Sequence, residues 1–343
     1  MTHASQPPFK TYAEVRPTRS LPFVRTEIHT MDTPIRRIAV IGTGVIGASW
    51  TALFLAKGLD VTATDVAPGA EQRLNDYIDA AWPVLQALVG APARADAGRL
   101  SFAPDVATAV AGAELVQENG PERIDFKRSL YAQLDELLAP EAIIASSSSG
   151  LTMSEIQAAC PRHPERCVIG HPFNPPHLIP LVEIVGGAKT SEDTLRRVTA
   201  FYETLGKRTI RLHKEVPGHV ANRLQAALFR EVVHLIADGV VNVADADTAV
   251  CWGPGLRWGV MGPSLLYHLG GGQGGIEHFF EQFTAPMTAW WSVLGTPELT
   301  PEVRRTLIDG VLAEAGTRSL SELAAERDEV LLGLLKLRTS QAC

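Results

Sequence analysis

The sequence predicts an α/β chain: a doubly wound, mostly parallel sheet followed by an all-helical C-terminal segment. Three observations carry this. An apolar run at 38–41 leads straight into the glycine cluster Gly42-Thr43-Gly44-Val45-Ile46-Gly47. Strand-type and amphipathic helix-type runs then alternate as far as residue 212, which is the pattern of successive βαβ units. Past Pro217-Gly218 the strand-type runs stop and long helical periodicity takes over.

In order along the chain, the first strand covers 38–41 and the helix after the glycines runs to Ala56, closed by Lys57-Gly58 with glycine on its C-terminal side. Val61-Thr62-Ala63-Thr64 is the next strand and ends at Asp65. Further strands are expected at 100–103, 115–117, 142–146, 167–170, 181–185 and 208–212. Helices are expected at 69–88, 123–138 and 191–205. A long helix then runs from His219 to Asp238 and stops at Gly239, and another begins near Asp245. Thr300-Pro301-Glu302 reads as an N-cap with proline at the first helical position, and Ser319 with Glu322 as a capping box before the last helix. These signals divide the chain into a loose N-terminal extension (1–34), a nucleotide-binding domain (35–213) and a helical domain (214–343).

Bulk properties narrow the function. A length of 343 residues exceeds what one core usually organises. The formal net charge of -7 excludes a phosphate-backbone partner, which needs clustered Lys and Arg. No apolar run approaches the ~20 residues that span a bilayer. Cys160, Cys167, Cys251 and Cys343 include no Cys-x-x-Cys pair. Free thiols in a reducing cytoplasm are expected, with no metal site. Residues 1–34 are rich in Pro, Thr, Ser and Arg and lack the apolar core of a secretory signal.

The glycine cluster has the context that a dinucleotide loop requires: a strand before it, a helix after it and an acid 18 residues past its last glycine. Gly42 makes the tight turn, Gly44 admits the pyrophosphate, and Gly47 lets helix and strand pack closely. The N–H groups of the helix start at Val45 and Ile46 face the phosphates. Asp65 accepts from the adenosine ribose hydroxyls and repels a 2′-phosphate, so the expected cofactor is NAD on a Rossmann-type sheet. A second site is suggested by His171 at a strand end. The loop Pro172-Phe173-Asn174-Pro175-Pro176 follows, and the return strand carries Glu183. Strand, loop and strand can set His171 beside Glu183, and a carboxylate beside imidazole fixes its tautomer, as a general base needs. Taken alone, that spacing equally suits a structural hydrogen bond.

The segment from His171 through Asn174-Pro175 to Leu181-Val182-Glu183 resembles the signature of the 3-hydroxyacyl-CoA dehydrogenase superfamily. So do Ala145 to Ser149 before it, Pro217-Gly218 with Asn222-Arg223 after it, and Glu122 with Lys127. The likeness spans about residues 36–338. It implies His171 as base and Glu183 as its orienting partner. It also implies Ser149 and Asn222 on the substrate oxygen, Asn174 supporting the His171 site, and Glu122 and Lys127 near the nicotinamide ribose. A homodimer built through the helical domain is implied as well.

Within the superfamily, Gly255-Leu256-Arg257-Trp258, Gly270-Gly271-Gly272, His278-Phe279 with Gln282-Phe283, and Pro297-Glu298-Leu299-Thr300 resemble the branch acting on small trimethylammonium hydroxy acids. Ser146 to Ser149 and Asn174-Pro175-Pro176 are also similar to the gulonate branch. Ser147 and Ser148 stand where acyl-CoA enzymes usually carry Asn and Thr, which argues against an acyl-CoA substrate. Aromatic residues make up only 6% of the chain, yet eight crowd into 252–291. A quaternary ammonium group is held by ring faces, so Trp258, with Phe279 and Phe283 behind it, is the expected cage. Arg257 or Arg223 is expected to pair with the carboxylate.

Overall fold

A computed structural model describes residues 34–340. Residues 1–33 of the N-terminal extension lie outside the described residues. Eight strands form one sheet: β1 (Arg37–Ile41), β2 (Asp60–Thr64), β3 (Leu100–Phe102), β4 (Leu115–Glu118), β5 (Ile143–Ser146), β6 (Cys167–Pro172), β7 (Leu181–Gly186) and β8 (Arg208–Leu212). Their spatial order is β3-β2-β1-β4-β5-β6-β7-β8. All neighbours are parallel except β6 and β7, which pair antiparallel. β1 and β4 are adjacent, so the winding reverses between them, and the crevice at their C-terminal ends is where such sheets take ligands.

The helices of this half are α1 (Val45–Ala56), α2 (Ala70–Val89), α3 (Val106–Val110), α4 (Ile124–Leu137), α5 (Met153–Gln157) and α6 (Glu192–Thr204). They cover both faces, so the inner strands are shielded from solvent: Ile38 to Ile41 and all of β4 and β5 are buried, the polar Gln117, Glu118 and Ser146 at their C-terminal ends included. One core cluster joins α1, α2 and α6 to one face, and a second joins α4 and α5 to the other. Local signals set the ends. Gly58 closes α1 with φ 74°. Asp105, Thr152 and Ser191 cap α3, α5 and α6, each accepting an N–H three residues on.

The helical half contains α7 (Ala221–Ala237), α8 (Val243–Trp252), α9 (Pro254–Trp258), α10 (Pro263–Gly270), α11 (Gly275–Trp291), α12 (Pro301–Ala315) and α13 (Leu320–Ser340). Gly239, at φ 69°, follows the end of α7. Thr300 caps α12 with Pro301 at its first turn. Ser319 and Glu322 form the reciprocal box before α13, each side chain accepting the other's N–H. α8 packs on α12, α10 on α11, and α13 returns to α2 of the sheet layer. No described helix is long and apolar enough to cross a membrane.

Candidate active site

The glycine loop joins β1 to α1. Gly42 has φ 83°, which disfavours a side chain. A Cβ on Gly47 would lie 1.9 Å from the Gly42 carbonyl oxygen, so only glycine lets α1 start this close to β1. A Cβ on Gly44 would meet nothing within 4 Å, so this side of the loop is open to a ligand's approach. No side chain caps α1 at Gly44, which leaves the first-turn N–H groups to an anion. Asp65, just past β2, accepts from the Thr43 N–H at 2.7 Å and the Thr43 hydroxyl at 3.2 Å, and so ties its carboxylate to the loop. A cradle that side chains would fill, a free helix start and a carboxylate at the second strand fit NAD. When bound there, NAD supplies the two-electron acceptor for an alcohol.

Glu118 closes β4. Its carboxylate accepts from the Lys127 ammonium at 2.9 Å through both oxygens, from the Ser146 hydroxyl at 2.6 Å and from the Gly120 N–H at 2.6 Å. Lys127 is 1% exposed. Its ammonium is engaged by Glu118 and lies 3.9 Å from Glu122. Glu122 clasps the loop after β5. It accepts from the Ser148 hydroxyl at 2.6 Å and from the N–H groups of Ser149, Gly150 and Leu151 at 2.7–3.1 Å. Partial burial raises its pKa. The Ser148 bond, the loop N–H groups and Lys127 outweigh that and hold the carboxyl below its usual range.

The antiparallel register of β6 and β7 sets His171 opposite Glu183. The His171 Nδ1 lies 2.8 Å from Glu183 Oε2. The other carboxylate oxygen accepts the N–H groups of Val220 and Ala221 at 2.8 and 3.1 Å. Glu183 thus joins the histidine to the start of α7. Burial pushes its carboxyl up, but the His171 bond and the two helix-start N–H groups prevail and keep its pKa low. An ionised Glu183 makes Nδ1 the protonated nitrogen of His171 and leaves Nε2 as the basic one. His219, at φ 48°, was not anticipated. Its ring lies 5.0 Å from that of His171 and its Nε2 is 2.9 Å from the Ser148 carbonyl oxygen. Burial holds its pKa down. No local pattern marks it, because its partners lie 71 and 48 residues away in sequence.

These elements enclose a cleft of about 380 Å³ lined by Ile46, Ser147, Ser149, His171, Pro172, Phe173, Asn174, Asn222 and Gln225. Four expected residues from three separate segments, Ser149, His171, Asn174 and Asn222, therefore meet beside Ile46 of the glycine loop. Ser147, Phe173 and Gln225 were missed, although Phe173 stands between two expected residues. The residues expected as cage and carboxylate partners are not among those lining this cleft. Trp258 is 40% exposed on α9 and does not line the cleft. Phe279 is stacked between Tyr267 and Phe283, with centroids at 4.7 and 4.9 Å, so neighbouring rings occupy its faces. Neither Arg223 nor Arg257 is in the lining, and Arg223 reaches back to the Pro217 carbonyl at 3.4 Å.

Sheet order, glycine loop and cleft together define an NAD-dependent dehydrogenase. Residues 37–216 match the NAD-binding domain of 3-hydroxyacyl-CoA dehydrogenase and residues 218–300 match its C-terminal domain, so the chain belongs to the 3-hydroxyacyl-CoA dehydrogenase family. Within it, the chain is 46% identical over 302 residues to an L-carnitine dehydrogenase of Streptomyces coelicolor, covering 88% of this chain and 94% of that protein. It is also 46% identical over 311 residues to an L-carnitine dehydrogenase of a Pseudomonas species, covering 90% and 96%. Among solved structures it resembles an NAD+-dependent 5-formyl-3-hydroxy-2-methylpyridine 4-carboxylic acid 5-dehydrogenase. That match has a TM-score of 0.76 and 32% identity, and covers 89% of this chain and 99% of that one.

Proposed function

We propose that the cleft oxidises the 3-hydroxyl of L-carnitine to the ketone, 3-dehydrocarnitine, with NAD as acceptor. The observation that carries this is the His171–Glu183 pair in a cleft that also receives Ile46 of the nucleotide loop. His171 accepts the hydroxyl proton at Nε2, and Glu183 holds the ring and stabilises the imidazolium that forms. Ser149 and Asn222 hold the substrate oxygen as negative charge develops on it. Asn174 and Gln225 are the neutral polar groups left for the carboxylate, and Phe173 is the ring in the lining able to face the trimethylammonium group. The identities to L-carnitine dehydrogenases support this substrate. Gulonate is the second reading, since Ser147, Asn174, Asn222 and Gln225 also suit a polyol. NADH formation measured with L-carnitine, L-gulonate and 3-hydroxybutyryl-CoA separates the three. Turnover of carnitine alone is expected, and faster turnover of either competitor overturns the assignment.

The reading extends to the whole chain. Residues 35–213 serve as the cofactor domain and 214–343 as the substrate and dimerisation domain. A homodimer is supported by the apolar side chains that the helical half leaves exposed, among them Trp252, Trp290, Trp291 and Leu312. Cys160, Cys167 and Cys251 are free thiols, which supports a reducing compartment, the cytoplasm.

A further inference from the structure

We propose that Lys207 is a positioning residue: from the residue just before β8 it straps the cleft loop between β6 and β7 onto the cofactor helix α1. The inference rests on the reading of the cleft given above. The segment 173–180 joins the strand of His171 to the strand of Glu183 and supplies Phe173 and Asn174 to the lining. Pro175, Pro176 and Pro180 deprive it of three N–H donors, so little of it can be held by a regular ladder.

Lys207 is 7% exposed. Its ammonium donates to the carbonyls of Pro176 and of Ile179, the latter at 3.1 Å, and lies 5.2 Å from the centroid of the Trp50 ring. Trp50 is fully buried on α1. Among the described ion pairs no carboxylate meets Lys207. Burial, with Lys57 nearby, pulls its pKa down to about 7. An ammonium in such a place is unfavourable, and a methionine would fill the same volume without that penalty. What lysine adds is a set of donors for two loop carbonyls.

A second tie lies beside the first. The His177 N–H donates to the Ser49 hydroxyl oxygen at 2.8 Å, and the same hydroxyl lies 2.8 Å from His177 Nδ1. Ser49 and Trp50 are neighbours on α1, one turn past Ile46 of the lining. The loop at 176, 177 and 179 is therefore fastened to the helix that begins at the nucleotide loop. The strap sets how far Asn174 and Phe173 stand from the cofactor without any of its members touching substrate.

The test is Lys207→Met in the full-length protein, with Ser49→Ala as a milder second variant that carries the same readouts if the first does not fold. Amide hydrogen exchange at His177, Leu178 and Ile179 should speed up about tenfold or more. The kcat with L-carnitine should fall on the order of tenfold to a hundredfold, as misplacement of about 1 Å does. The Kd for NADH, read by its fluorescence, should stay within about twofold, because the glycine loop is untouched. A merely structural lysine would lower the melting temperature without separating kcat from NADH affinity. Unchanged exchange at these three amides overturns the strap, and so does faster exchange with unaltered kcat. If the wild-type enzyme does not oxidise carnitine, the substrate assignment fails, and the exchange measurement still decides the strap.

Discussion

The sheet half and the helical half dispose of their apolar side chains in different ways. In the sheet half, from Arg37 to Leu212, the strands are sandwiched and large side chains such as Trp50, Tyr131 and Tyr202 are fully buried. In the helical half the buried apolar residues are Val233, Ile236, Val243, Ala246 and Phe279. Among the described residues, twenty-three of the twenty-eight exposed large hydrophobics belong to Val220 and beyond. One half closes its own core, and the other leaves large apolar side chains exposed, the basis of the proposed homodimer. The site shows the same asymmetry. The glycine loop, Ser149, the cleft loop, His171 and Glu183 all come from the sheet half, while the helical half contributes Asn222 and Gln225 from the first turns of α7. Chemistry is thus expected to depend on the self-contained half, and assembly on the other.

The largest effect should come from His171→Ala, which should lower kcat by about 10²–10⁴-fold, the usual share of a positioned base. NADH should still bind, since the loop that holds it is separate. Near-normal turnover would remove His171 from the reaction and break the assignment of chemistry to the sheet half. Next comes the helical half. Trp290 and Trp291 are 61% and 63% exposed on α11. Changing both to Glu should weaken self-association by about 10²-fold or more, as loss of buried aromatic anchors does. Light scattering at micromolar concentration should read two 37.0 kDa chains for the wild type and one for the variant. A wild-type mass of one chain would sink the idea.

What could be read beforehand divides along physical lines. The glycine loop and Asp65 were legible because backbone geometry dictates them: a positive φ at Gly42 and the 1.9 Å clash at Gly47 admit no other residue. His171 and Glu183 were legible because a strand, a short loop and a return strand leave few registers. The caps at Thr300 and Ser319 were legible for the same local reason. The ring in the cleft was not. Crowding of aromatics in 252–291 pointed to Trp258, Phe279 and Phe283, but crowding reflects mutual stacking as readily as ligand binding, and here Phe279 is held by its neighbours. Lys207 escaped for a complementary reason. Sequence reasoning leaves ammonium groups in water, and this one is buried against the carbonyls of a loop distant in sequence.

The ring expected to face the trimethylammonium group gives a third, smaller prediction that compares the halves directly. Phe173→Leu should raise the KM for carnitine about 2–30-fold, from a ring–cation contact of ~0.5–2 kcal/mol. It should act much less on the uncharged tert-butyl isostere. Trp258→Leu should leave both within about twofold, since its ring does not line the cleft. The reverse ranking would mean that the helical half completes the pocket.

The last effect is read in stability rather than activity, at the place where the two halves touch. His177 is buried, and its pKa is lowered from 6.5 to about 4. Burial is the main cause, Asp328 of α13 opposes it, and Lys207 and Arg327 add to it. Between pH 6.5 and 4 the unfolded chain binds a proton at this ring that the folded chain does not. Stability should therefore fall as the pH drops through that window and level off below it, by on the order of 3 kcal/mol for this group. His219, also lowered, contributes with the same sign. Glu183 and Glu122, held below the ordinary 4.5, add their losses from about that pH downwards, where the unfolded chain takes up protons that the folded carboxylates do not. Urea midpoints measured at steps from pH 7 to 4 should show a limb that is steep in the wild type and shallower in His177→Asn. The slope decides, because the variant also loses the Ser49 bond at every pH. Asp328→Asn should steepen the limb slightly, since it removes a charge that favours the imidazolium. An unchanged slope in Asp328→Asn would show that α13 does not act on the cleft loop, and an unchanged slope in His177→Asn would show that the ring takes up its proton equally in both states.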